Sequence, residues 1–142
     1  MKTLPIDRSR VFRPSDYPKD PNEYVPLVHF GQRFKEQERF LDGDVIEKTI
    51  EGGELRSNGD GCACFRKVWG EGVAYYIIAG YHEKGYRVLV TGWPHLHHRR
   101  SALESGRWLP SELDQIQELN DRYKEKFEDK YPVYSTWLKP RV

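Results

Sequence analysis

The run His95-x-His97-His98-Arg99-Arg100 holds the residue types that break a phosphodiester by proton transfer. Cutting RNA without a metal needs a base for the 2′-hydroxyl, an acid for the leaving 5′-oxygen, and cations for the phosphate. Imidazole titrates in the range that suits the first two tasks. The planar fork of arginine suits the third. Carried on a loop that leaves the end of a strand, these residues would meet Arg66, Tyr75 and Trp93, and an aromatic ring there could stack a base. The candidates for catalysis are therefore His95, His97, His98 and Tyr75, with Arg66, Arg99, Arg100 and Trp93 as substrate contacts. The plain alternative is a solvated polar loop whose histidines cap the helical turn that follows.

Two further groups have the right chemistry in weaker patterns. His29 and Arg33 lie one helical turn apart, so they share a face and could touch phosphate; they could equally pair with Glu36 or Glu38. Cys62-x-Cys64 with the histidines would supply enough zinc ligands, but the spacing is not that of a zinc knuckle and no second cysteine pair exists. No metal and no cofactor is expected.

The chain has 142 residues, 32% of them charged and only 37% hydrophobic, with 13% aromatic. That length suits one domain, and Trp and Tyr must supply much of its core. A net charge of +1 hides a local bias: His82 to Leu109 holds Lys84, Arg87, Arg99, Arg100 and Arg107 against Glu83 and Glu104. No apolar run is long enough to cross a bilayer, and the N-terminus lacks the apolar stretch of a signal peptide. A cytoplasmic, reducing location is expected, with no membrane partner.

The elements that must position the candidates centre on three strands, Cys62–Val68, Val73–His82 and Tyr86–Trp93, after a short one at Glu54–Ser57. Turn signals at residues 58–61, 69–72 and 83–85 separate them. Pairing Val68 with Val73 sets Arg66 opposite Tyr75 and Phe65 opposite Tyr76. Pairing His82 with Tyr86 sets Ile78 opposite Val90 and Tyr75 opposite Trp93. Alternation then puts Phe65, Tyr76, Ile78 and Val90 under the helices, and Arg66, Tyr75 and Trp93 on the other side. Pro94 is expected to end the last strand.

Two helices precede the sheet. Val28–Phe40 carries a stripe of Val28, Phe30 and Phe34. The second opens at the N-cap Asp42, buries Val45, Ile46, Thr49 and Ile50, and stops at Gly52-Gly53. A helix over residues 111–128, with Ser111 as N-cap, repeats Leu113, Ile116, Leu119, Tyr123 and Phe127 on one face. The organisation is thus a proline-rich extended arm (1–26), a single α+β domain (27–130) and an aromatic tail (131–142). Its fold class is two N-terminal helices on a three- to four-stranded antiparallel sheet, plus a C-terminal helix.

A helix opening His29-x3-Arg33, a second helix, and antiparallel strands ending in Val88-Leu89-Val90-Thr91 form a pattern over residues 28–93. It resembles the BrnT-like and related domains of the RelE/ParE toxin superfamily. Gln37 stands where many relatives carry a second arginine. The resemblance implies a toxin-like, RNA-binding endoribonuclease and, as partners, RNA and a cognate antitoxin or other protein. The alternative is a non-catalytic protein-interaction module on the same fold.

Overall fold

A computed structural model describes residues 5–27, 30, 42–69 and 71–138. The fold is α+β, and it corrects the expected arrangement. Its sheet has five strands in the order β1-β5-β4-β3-β2: β1 (Val25–Pro26), β2 (Glu54–Ser57), β3 (Ala63–Trp69), β4 (Val73–Tyr81) and β5 (Arg87–Leu96). The sheet is mixed, because β1 runs parallel to β5 while the other neighbours are antiparallel. Among the described residues one helix, α1 (Gly43–Gly52), precedes the meander. Three follow it: α2 (Arg99–Glu104), α3 (Pro110–Lys130) and α4 (Pro132–Leu138). The helix expected over Val28–Phe40, with His29 and Arg33, lies outside the described residues except for Phe30.

Two one-residue offsets decide which side chains share a face. Trp69 pairs with Val73, which leaves residues 70–72 for the turn; Arg66 then faces Tyr76, and Phe65 faces Ile77. The turn is made by Glu71 and Gly72, both at positive φ. The second offset is a bulge in β5. Ala79 pairs with Leu89 as expected, but Ile78 pairs with Thr91, so Val90 is the extra residue. Past it the parity of β5 is reversed. Trp93 and His95 thereby join the face of Val88 and Val90 instead of that of Leu89.

The expected packing is overturned as a result. Phe65, Ile77 and Leu89 pack with Ile46 and Ile50 of α1 and with Tyr17 and Tyr24 of the N-terminal arm. Tyr76, Ile78, Val90 and Trp93 pack on the opposite face with Leu119, Phe127, Val133 and Tyr134 of α3 and α4. Tyr75, on the α1 side, packs instead with Val45, Trp108 and Leu113.

Local chemistry explains the elements. Asp42 caps α1, its carboxylate accepting from Val45 N at 2.9 Å, and the helix buries Val45, Ile46, Thr49 and Ile50. At Gly53 the chain runs so close to α1 and β3 that a Cβ would lie 2.2 Å from Thr49 O and 2.9 Å from Arg66 O. The long helix α3 starts at Pro110, one residue before the expected start, because proline suits the first helical position. Its Glu112 carboxylate accepts from Leu109 N at 2.8 Å. The N-terminal arm is tied into the fold: Tyr81 Oη and Arg87 Nε both donate to Asp16 O at 2.6 Å, and Leu27 N donates to Leu89 O.

β5 continues through Pro94 to Leu96, past the expected stop. Among the described residues β1 pairs with Val88 and Leu89, and at Pro94 the backbone polar groups turn away from β4 toward Asn120, so the missing N–H of proline costs no bond to β4. Asn120 of α3 meets these groups. Its Oδ1 accepts from Leu96 N and its Nδ2 donates to Pro94 O, each at 2.9 Å.

Candidate functional site

The two offsets gather a half-open cleft of about 480 Å³ at the end of the sheet nearest α3 and α4. It is lined by Arg66 from β3, Tyr76 from β4, His95 and Leu96 from β5, His97 just beyond it, Lys124 and Glu128 from α3, and Trp137 from α4. The strand period sends His95 and His97 toward one side, and the spacing of Lys124 and Glu128 puts them on one helical face.

Arg66 is the hub of the floor. Its Nε donates to Tyr76 Oη at 3.1 Å, and its guanidinium carbon lies 5.8 Å from the Tyr76 ring and 5.9 Å from that of Trp137. Trp137 is held on its other contacts by Arg56, 4.4 Å over the ring, and by Glu54, whose Oε2 accepts from Nε1 at 3.0 Å. Burial pushes the Tyr76 phenol up to about 12, against the pull of the adjacent Arg66, so it stays protonated.

His95 is half-buried, and Tyr134 Oη lies 2.5 Å from its Nδ1. Burial first, then the nearby His97 and Arg66, depress its proton affinity to about 4. It is therefore neutral at physiological pH. His97 is exposed and is lowered from the usual imidazole value by desolvation, Arg66 and His98. The site thus combines two imidazoles, two cations and a carboxylate on an aromatic wall. Such a set binds an oxyanion and can move protons beside it.

The rest of the candidate list is placed elsewhere. Tyr75 is 1% exposed on the α1 side of the sheet, so it cannot join Arg66; Tyr76 takes that position because the register differs by one residue. Trp93 is fully buried beneath Tyr76, Phe127 and Tyr131, where no base can stack on it. His98 caps α2, its Nδ1 accepting from Ser101 N at 3.1 Å. Arg99 pairs with Asp114 at 2.8 Å, and Arg100 with Glu104 at 3.2 Å. None of these lines the cleft.

Lys124, Glu128 and Trp137 were missed in the sequence. Lys124 and Glu128 are polar positions on an amphipathic helix, which read as solvated surface until the helix has a place to sit. Trp137 carries a visible signal as part of the aromatic tail.

Cys62 and Cys64 are free buried thiols, and burial raises both, Cys62 to about 12. They are packing groups. Among the described residues no three His, Cys, Asp or Glu side chains cluster as metal ligands would, and no helix is long and apolar enough to cross a membrane. The chain matches no family model, no curated protein and no solved structure.

Proposed function

We propose that the cleft holds a phosphodiester of single-stranded RNA and cleaves it without a metal. The observation that carries this reading is the meeting of His95, His97, Arg66, Lys124 and Glu128 in one cleft. Among the described residues most of the helical chain follows the sheet, so the reading rests on the cleft and not on the toxin resemblance. A cleft of this size admits an unpaired nucleotide rather than a duplex.

Arg66 and Lys124 hold the phosphate oxygens. Glu128 accepts the proton of the 2′-hydroxyl as that oxygen bonds to phosphorus. The phosphorus–O5′ bond breaks, and protonated His97 gives its proton to the leaving O5′. The products are a 2′,3′-cyclic phosphate and a 5′-hydroxyl. His97 works in its protonated form and its affinity for the proton is lowered, so the optimum falls on the acid side of neutrality.

The test is a 5′-labelled single-stranded RNA incubated in EDTA at pH 5.5, beside DNA of the same sequence. Fragments ending in cyclic phosphate, with intact DNA and loss of cleavage in Glu128→Gln, are expected. Equal cutting of DNA overturns the reading. Saturable RNA binding with no fragments replaces it with a non-catalytic binding module.

A further inference from the structure

His95 is held from two sides by residues that do not line the cleft. Asn120, only 7% exposed, bonds the peptide groups on either side of it, taking Leu96 N–H and giving to Pro94 O. The amide thereby pairs with the backbone groups of β5 that turn away from β4. A side chain sandwiched between two such anchored peptides has little freedom to swing.

The ring is held separately. Tyr134 Oη meets Nδ1 at 2.5 Å, and the rings of Tyr134 and Tyr76 stand nearly perpendicular to the imidazole, at 80° and 83°. The polarity of that hydrogen bond follows from the chemistry of the pair. A phenol O–H is a stronger acid than a neutral imidazole N–H, and an imidazole nitrogen is a better acceptor than a phenol oxygen, so O–H donates to Nδ1. A neutral imidazole carries one N–H; with Nδ1 accepting, it sits on Nε2.

We infer that Tyr134 and Asn120 are positioning residues that present His95 to the cleft as a neutral Nε2–H donor for a non-bridging oxygen of a bound phosphate. This rests on the cleft being a phosphate site, as proposed above, and it gives His95 a role distinct from the proton carriers Glu128 and His97. A fixed donor aimed where negative charge grows stabilises the transition state without reorganising. A neutral ring is also compatible with Arg66 beside it, where an imidazolium would be repelled.

The bland account is that Asn120 only satisfies the backbone of β5 and Tyr134 only fills the aromatic core. NMR of the 15N-labelled full chain at pH 7 separates the two. His95 should be the Nε2–H tautomer alone, and inorganic phosphate should move its Nε2 resonance. Tyr134→Phe keeps the ring and removes one oxygen; it should mix the tautomers and lower kcat on RNA about tenfold with KM little changed. Asn120→Ala should broaden or shift the His95 signals, with partial recovery in Asn120→Asp, which keeps the acceptor for Leu96. If Asn120→Ala does not fold, the tautomer and Tyr134→Phe still decide. An Nδ1–H tautomer, phosphate moving His97 but not His95, or an unchanged tautomer in Tyr134→Phe would overturn the inference. A wild-type chain that leaves RNA intact but shows the tautomer and the phosphate response sinks cleavage and supports this inference.

Discussion

Five of the six residues from His95 to Arg100 carry an imidazole or a guanidinium, and they are used in two different ways. His95 and His97 belong to or adjoin a strand whose side chains face α3 and α4, and they reach a cleft with Arg66 and Lys124. His98, Arg99 and Arg100 begin a helix one residue later; they cap it or pair with Asp114 and Glu104. Residue type therefore does not separate ligand contact from capping here. What separates them is which backbone each residue sits on and what that backbone is pinned to.

The sharpest way to break the comparison is alanine at His95. Cleavage should fall by about a hundredfold or more, as for other lost transition-state donors, measured as kcat on single-stranded RNA. Should His98→Ala do the same, the division is wrong. His97→Ala should cost about a hundredfold and also remove the loss of rate above the His97 titration, because the protonated acid is what that limb reports. A pH profile of the variant that still falls with rising pH would take the acid role away from His97.

Gly72 sharpens the comparison from the backbone side. It accepts from both His97 N and His98 N, its φ is 77°, and a Cβ there would lie 2.2 Å from His98 O. Gly72→Ala should therefore destabilise the fold by about 3 kcal/mol in urea melts and displace both halves of the run together. A mild loss of stability would mean the turn can yield.

His95 also predicts a pH dependence of stability. Its proton affinity in the fold, near 4, lies below that of the unfolded chain, so the unfolded state binds the proton more readily. Its contribution is complete above about pH 6.5 and is lost as pH falls toward 4, by about 2 kcal/mol given its partial exposure. His95→Gln should flatten this part of the stability curve; an unchanged slope would show that the loss originates elsewhere. The smallest effects belong to the other half. His98→Ala should cost about 1 kcal/mol through the lost cap, leaving RNA cleavage unaltered. Arg100→Ala should leave both melting and cleavage within error.

How far the site was legible follows the same division. The turn at residues 83–85 was read with the right pairing near it, and the α1 cap and buried stripe were read residue by residue. These depend on neighbours a few positions apart. The sequence does not separate Tyr75 from Tyr76 as the partner of Arg66, because a single-residue difference in the turn before Val73 exchanges every side chain on β3 relative to β4. The face of Trp93 is likewise hidden in the sequence, because nothing local marks Val90 as a bulge. Lys124 and Glu128 carried no signal of their own.

The amino-acid order by itself determined the amphipathic stripe of α3, the capping of α1 and the gathering of imidazole and arginine between residues 95 and 100. These are short-range properties of periodicity, side-chain hydrogen bonding and composition. Tertiary structure alone decided that Arg66, Tyr76, His95 and His97 share one face. It did so because the bulge at Val90 and the tight turn before Val73 are settled by burying Trp93 under α3 and α4 and Tyr75 against Trp108, contacts between residues far apart in the chain.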